Sequence, residues 1–374
     1  MDTNTIKQPV DKKVNPLLNI LLLIVVLIAF YLALKLMGGA FKGFGKDTAR
    51  SILAISSNPF VALFLGMLAT AIIQSSSTTT SMIVTLVATG SLTVASAVPL
   101  IMGANIGTSV TSSILAFGHM GRRKEYRRAV ASATVHDFFN ILVVIILLPL
   151  ELFFNLLSNT AESITHLVVR IPDEVSEKSG SWTDVISEGL LGNEPVLMLI
   201  VSLVLLFFSL RYLTIILKRF VIGKIEANMD RFVFNRPLKG LTWGMILTML
   251  VQSSSVTTSL MVPLVAANKV SLKKAFPFLM GANIGTTITA LIASLLLFDG
   301  DTLRYQNGLS IAIVHILFNL AGVALFFPFP KLRNIPIAIA KGLGELSYRN
   351  RLIGIGYVVF TFFLLPLFLY FISK

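Results

Sequence analysis

The sequence predicts an all-α polytopic membrane protein built from two inverted repeats, with re-entrant helical hairpins and broken helices. Three observations carry that prediction. The 374 residues are 55% hydrophobic and only 13% charged, about half the charged share of a soluble chain. Several apolar runs reach the ~20 residues a helix needs to cross a bilayer. One polar motif also occurs twice inside apolar sequence, as "QSSSTTTS" from Gln74 and "QSSSVTTS" from Gln252. A β-barrel would instead alternate apolar and polar residues in short segments, and none are found.

In chain order, Pro16–Met37 is the first clear span. It follows Lys7, Lys12 and Lys13, but it is longer than a signal-peptide core and no small-residue cleavage site follows it. It therefore reads as a retained helix behind a cytoplasmic N-terminus, residues 1–15. Ser51–Ile73 and Thr78–Ala88 read as the limbs of a re-entrant hairpin with Gln74–Ser77 at the tip. Ala129–Leu150 closes the first repeat with its preceding helix, 16–150. Residues 151–192, containing "PDEVSEKSGSWTD", are polar and read as an external loop. Val196–Leu217 opens the second unit, 193–330, which carries Gln252–Ser255 and ends in the span Leu309–Phe329. The stretch Lys218–Gly240 is its cytoplasmic counterpart to the external loop. A cytoplasmic segment and the helix Leu352–Ile372 complete the chain, 331–374. Pro99 and Pro277 are expected to kink or start the helices that lead into "GANIGT".

The repeat is longer than its first motif. Gln74–Thr111 aligns with Gln252–Thr289 at a constant offset of 178, with 21 identities in 38 positions. The shared second block is "MGANIGTSVT" against "MGANIGTTIT", and "HDFFN" (His136, Asn140) pairs with "HILFN" (His315, Asn319) after one insertion. Loop charge predicts inversion. Arg122–Arg128, "RRKEYRR", is basic and reads as cytoplasmic, whereas the equivalent Asp299–Arg304, "DGDTLR", is acidic and reads as external. After the His–Asn element the signs exchange: Asp173, Glu174, Glu177, Asp184 and Glu188 follow it in repeat one, and Lys331, Arg333, Lys341, Arg349 and Arg351 in repeat two. Lys42, Lys46 and Arg50 go against this pattern. Opposite loop charge on homologous segments is the mark of the inverted architecture of many secondary transporters.

Clustered hydroxyls at membrane depth are tolerated where they are buried in protein or line a cavity. Backbone N–H groups opening the second hairpin limb lack intrahelical partners and suit an anion, and serine hydroxyls add donors that can also accept. Paired glycines in "GANIGT" permit a helix break and close backbone approach, while Asn and Thr offer oxygens to a hard cation or donors to an anion. The plainer reading is helix packing, since Gly103–Gly107 and Gly281–Gly285 also fit GxxxG. Two copies of both blocks at fixed spacing favour a central site. Residues 70–118 and 241–268 contain no Lys, Arg, Asp or Glu. An oxyanion held by neutral dipoles alone is costly to bury, so cations have to enter with it. Na⁺ suits hydroxyl, amide and carbonyl oxygens, which couples the two ions.

At these residues the sequence resembles the type II sodium-coupled phosphate cotransporter family in its compact bacterial form. The doubled "QSSS…GANIGTS" and "TVHDFFN" carry the resemblance over Ser51–Phe329. It implies symport of inorganic phosphate with several Na⁺ by alternating access, in a bacterial inner membrane, around a central site between inverted repeats. The implied phosphate ligands are Gln74, Ser75, Ser76, Ser77, Asn105, Thr108 and their counterparts Gln252, Ser253, Ser254, Ser255, Asn283, Thr286. The candidate Na⁺ ligands are Ser77, Thr79, Thr80 and Asn105, with Ser255, Thr257, Thr258, Asn283 and Thr287. Phosphate, Na⁺ and the bilayer are the expected partners, with no cofactor beyond the coupling ion. Vertebrate members have a large external loop with cysteines, whereas this connector is short and cysteine-free. Electrogenic members are associated with an extra aspartate near the loop that here reads "GHMGRRKEY", which carries no acid before Glu125.

His136/Asn140 and His315/Asn319 are i, i+4 pairs, each on one helix face, and are expected to brace the hairpins through interhelical hydrogen bonds. Asp137, opposite Ile316 in repeat two, is either an electrostatic partner of Na⁺ or a structural acceptor. The net charge of +13 lies in loops, where topology accounts for it without nucleic acid. Four histidines, no cysteine and no clustered acids leave no nucleophile–base constellation, so the chain is not expected to be an enzyme. Another oxyanion, a passive anion channel and a non-transporting scaffold remain as alternative readings.

Overall fold

The computed structural model describes residues 16–169, 192, 194–225, 233–297 and 302–372. The expectations for 1–15, for the acidic residues Asp173–Glu188 and for Asp299–Asp301 lie outside these. Every regular element within the described residues is helical. The first half contains α1 (Pro16–Gly43), α2 (Gly45–Ser56), α3 (Pro59–Ile73), α4 (Ser76–Ala88), α5 (Val94–Gly107), α6 (Val110–Phe117), α7 (Arg123–Phe154) and α8 (Leu156–Val168). The second contains α9 (Pro195–Ile225), α10 (Pro237–Val251), α11 (Ser254–Ser259), α12 (Met261–Ala266), α13 (Leu272–Leu296) and α14 (Thr302–Phe326). Then follow α15 (Pro330–Arg349), α16 (Arg351–Val359) and α17 (Leu365–Ile372), the last two joined by a short π-helical stretch at Phe360–Leu364. Among the described residues, seven helices are long and apolar enough to cross a bilayer. The chain is an all-α polytopic membrane protein.

The hairpins can be read from backbone contacts. A Cβ on Gly66 would strike the Leu100 carbonyl, and one on Gly103 would strike the Leu63 carbonyl. Further along, Gly107 abuts the Met67 carbonyl and Thr70. From Gly103, which meets Leu63 and Met67, to Gly107, which meets Met67 and Thr70, rising numbers in α5 meet rising numbers in α3, so the two helices run parallel. The intervening α4 has to return between them, which makes α3–α4 a hairpin whose two ends lie on one side. Repeat two makes the same contacts 178 residues later: Gly244 with Phe278, Gly281 with Leu241, Gly285 with Met245 and Thr248.

The two halves are related by a two-fold axis. α1 and α9, the helices that precede each repeat, pack on each other with Gly39 against Met198 and Gly43 against Pro195. Numbers rise in one as they fall in the other, so corresponding helices run in opposite directions. Ser76 meets its own counterpart Ser254, and Val143 meets its counterpart Gly322. A residue touches its equivalent only at the axis. The GANIGT helices surround that axis: 72% and 67% of the apolar windows in Val94–Phe117 and Leu272–Leu296 are buried, against 28% in α1 and 22% in Arg351–Leu369. The outer helices instead present apolar faces, Leu18, Leu21, Ile24 and Ile28 on α1 among them, as lipid contact requires.

Several local expectations are corrected. The first limb does not run from Ser51: Arg50–Ser56 and Pro59–Ile73 meet at 101°. Asn58 accepts from the Phe60 and Val61 amides and Pro59 opens the new helix, a strong start signal. The glycines of GANIGT do not break the second repeat, since α13 runs unbroken through Gly281 and Gly285. In the first repeat the interruption at Thr108–Ser109 keeps right-handed helical dihedrals. These glycines serve close approach instead. Pro99 and Pro277 lie inside α5 and α13 rather than starting them. The start of the supposed external loop is helical: Glu151 accepts from the Leu157 and Ser158 amides and so caps α8.

Candidate functional site

Each hairpin turns at a glutamine. Gln74 (φ 55°, ψ 28°) and Gln252 (φ 57°, ψ 25°) both adopt the left-handed conformation. Their amides bond the Thr70 and Thr248 carbonyls at 2.7 Å. A non-glycine residue held this way costs on the order of 1–3 kcal/mol, and such strain collects at functional sites. The next residue caps the returning limb: the Ser75 hydroxyl accepts from the Thr78 amide at 3.2 Å, and Ser253 from Val256 at 3.4 Å. The amides of Ser76 and Ser77, first in α4, have no intrahelical partner.

The two tips meet. Ser76 Oγ lies 3.5 Å from Ser254 Oγ, and Ser77 Oγ donates to the Gln252 carbonyl at 3.3 Å and to Thr289 Oγ1 at 3.4 Å. Thr289 donates to Gln252 Oε1 at 2.9 Å, and the Gln252 side-chain nitrogen bonds the Met249 carbonyl. Gln74 makes no equivalent bond among the described residues and is exposed, so the tips are not symmetric in detail. Ser112 and Thr258 link the halves again at 3.0 Å.

Several candidate cation ligands bond back into their own helices: Thr79 and Thr80 to the Ser75 and Ser77 carbonyls, Thr257 and Thr258 to those of Ser253 and Ser255. Thr108 and Thr287 bond the Ala104 and Ile284 carbonyls. Each of these hydroxyls donates and keeps a lone pair free to accept a cation. Thr70, Thr248, Thr111 and Thr286 carry buried hydroxyl oxygens with no partner. Thr70 and Thr248 are equivalent, packed against Gly107 and Gly285, and a buried polar atom without a partner calls for an explanation such as water or an ion.

Asn105 and Asn283 do not bond the tips. A buried chain holds them: Ser109 Oγ lies 3.0 Å from His136 Nδ1, and His136 Nε2 meets Asn283 Oδ1. An amide oxygen only accepts, so Nε2 donates and Nδ1 accepts from Ser109. Asn283 then donates to Asn140 Oδ1 at 2.7 Å, and Asn140 to the Asn105 carbonyl at 3.0 Å. His315 Nε2 reaches Asn105 Oδ1 at 3.4 Å. Each histidine thus grips the GANIGT asparagine of the opposite repeat, so these residues brace the GANIGT helices to each other rather than the hairpins. Asn319 departs from the expected interhelical role, donating to the His315 carbonyl in its own helix at 2.9 Å. Asp137 is fully buried and accepts from the Tyr357 hydroxyl at 3.2 Å, so a donor from α16 meets the acid.

One residue was missed. A cavity of about 860 Å³ opens at both tips, reached by Gln74, Ser77, Gln252 and Ser255, and Arg211 of α9 lines it. The charge-free windows around the motifs concealed this, because the cation arrives from a helix outside the aligned repeat. The signal was nevertheless present: a lone arginine inside the span Val196–Leu217, and an ionisable residue in a span is a functional candidate by default.

A family model described as Na⁺/Pi-cotransporter matches residues 29–170 and 205–369. The chain is 32% identical to human "Sodium-dependent phosphate transport protein 2B" over 446 residues, covering 93% of this chain and 64% of that protein. It is 34% identical to rat "Sodium-dependent phosphate transport protein 2A" over 430 residues, covering 94% and 67%, and 33% identical to the mouse 2A protein over 429 residues, with the same coverage. The chain therefore spans about two thirds of the length of these relatives, and slightly less of the human one. No solved structure matches. With the doubled motif folded into two hairpins that meet at one axis, the chain belongs to the Na⁺/Pi-cotransporter family.

Proposed function

We propose that the chain is a symporter that carries inorganic phosphate into the cell with Na⁺ by alternating access, and that it resides in a bacterial inner membrane as a carrier rather than an enzyme. The names of its relatives support the substrate pair. The observation that carries the reading is the contact of Ser76 with Ser254, 3.5 Å apart. Equivalent residues of two inverted hairpins meet at the axis, where one guest can be handled from either side. The tip hydroxyls and the open amides of α4 donate to the phosphate oxygens. The threonine and serine oxygens around them, and the unpartnered Thr70 and Thr248, accept Na⁺. Bringing the anion alone to such a neutral site leaves its charge uncompensated, so cation and anion occupy it together. The strained glutamines at the tips hold the backbone turn in place, while rocking of one repeat against the other changes the side to which it opens.

Proteoliposomes containing the purified chain test this. Radiolabelled phosphate should accumulate above equilibrium under an inward Na⁺ gradient and not under a K⁺ gradient. Uptake that stops at equilibrium with either salt would indicate a channel, and no uptake would refute transport. Accumulation of sulfate or succinate in preference to phosphate would reassign the substrate.

A further inference from the structure

We propose that Arg211 is an oxyanion-binding residue placed on the cytoplasmic side of the hairpin tips, where it receives the anion as Na⁺ leaves. This rests on the symport reading above. The wall that α9 gives the cavity is one helical face: Phe207, Leu210, Arg211, Thr214 and Ile215 recur at i, i+3, i+4, i+7 and i+8. Arg211 is the only ionisable residue among those lining the cavity. Arg211 is exposed, and among the described residues no hydrogen bond or ion pair engages it. A guanidinium inside a membrane span without a partner is costly unless it meets water or an anion. The plain alternative is that it snorkels to lipid headgroups. Arg211 shares its helix face with the residues of α9 that line the cavity, which places it there rather than at the lipid.

The direction of the cavity follows from its other walls. Leu115 on α6 and Pro263 on α12 line it beyond the tips. α6 leads to the basic Arg122–Arg128 segment, and Ala266, the last residue of α12, accepts from Arg128 Nε at 2.7 Å. The cavity therefore runs from the tips toward the loops expected in the cytoplasm. Na⁺ is scarce there and departs first, which would strand a multivalent anion among neutral dipoles. One fixed positive charge along the exit compensates the anion as the cations go. A single charge does not neutralise a divalent anion, so the need for Na⁺ at the tips is preserved.

The test is equilibrium binding of radiolabelled phosphate to the full chain in detergent, at saturating NaCl and at two ionic strengths set with choline chloride. R211Q should weaken phosphate binding about 10-fold or more, the scale of a lost charge-assisted contact, and R211K should retain most of it. Binding by R211Q should also respond less to ionic strength than wild type, which a packing defect would not produce. If R211Q does not fold, T214E and T214K put opposite charges one turn away on the same wall, and T214K has to bind at least about 10-fold more tightly. Wild-type affinity in R211Q, or equal affinity in T214E and T214K, overturns the role of Arg211 while leaving the symport reading intact. A wild-type chain that binds no phosphate overturns both.

Discussion

Ser76 and Ser254 hold the same position in their repeats and approach within 3.5 Å. In the proposed symport cycle a guest at that point would touch both hydroxyls, so the two side chains would act as one unit split between two segments 178 residues apart. Loss of either removes one contact to the charged guest and loosens the other. Ser76→Ala and Ser254→Ala should each weaken phosphate and Na⁺ affinity by about 10-fold, and the double variant should lose clearly less than the ~100-fold product, as expected of residues that share a partner. Binding isotherms for the four proteins check this. A double variant equal to the product would place the serines on separate guests, and unchanged affinities in both single variants would remove them from the site. At this scale the sequence was legible where a residue repeats and opaque where roles diverge. Asn140 and Asn319 occupy matching positions, yet one bonds across to α5 and the other to its own helix. Arg211 has no place in the aligned blocks at all.

At the scale of the helices, the glycines of GANIGT explain why the hairpin limbs can lie so close to α5 and α13. A methyl group on Gly103 would overlap the Leu63 carbonyl, and one on Gly281 the Leu241 carbonyl. Both obstacles are backbone, so a substituent can be admitted only by moving one helix off the other. Gly103→Ala and Gly281→Ala should each destabilise the protein by about 1–3 kcal/mol, the usual range for overpacking. Gly342 in α15 has nothing within 4 Å of a built methyl. Gly342→Ala should be neutral or stabilise by up to about 1 kcal/mol, as alanine does in a helix. Thermal unfolding in detergent compares the three; equal behaviour would mean that the close approach contributes nothing. The same contacts show why two spans went unrecognised as spans. Val94–Phe117 and Leu272–Leu296 carry Gly, Ser, Thr and Asn because they are buried against other helices rather than lipid. A reading by apolar length favours the outer helices and undervalues the central ones. The 101° bend before α3 separates an amphipathic helix, α2, from an apolar one, and Asn58–Pro59 is the helix-start signal between them.

For the whole molecule, the inversion was legible from loop charge alone, and the antiparallel packing of α1 on α9 and the two pairs that meet at the axis arrive at it independently of charge. What composition could not reveal was the cavity, because its walls come from four separate stretches brought together only by the two-fold axis. The inversion makes a demand that few soluble or uniformly oriented proteins would meet. Ala95 and Lys273 are equivalent positions, 178 residues apart, both exposed at the start of α5 and α13. If the halves are inverted across the membrane, these two helix starts lie on opposite faces. The chain contains no cysteine, so Ala95→Cys and Lys273→Cys each introduce one unique thiol. A membrane-impermeant maleimide added to intact cells should label Ala95→Cys and leave Lys273→Cys untouched until the membrane is opened. The basic residues Arg122–Arg128 after α6 and Lys273–Lys274 at α13 set that polarity, since both belong on the cytoplasmic side. Labelling of both thiols from outside, or of neither, would mean that the two hairpins enter from one face, and a site served alternately from two sides could not be built from them.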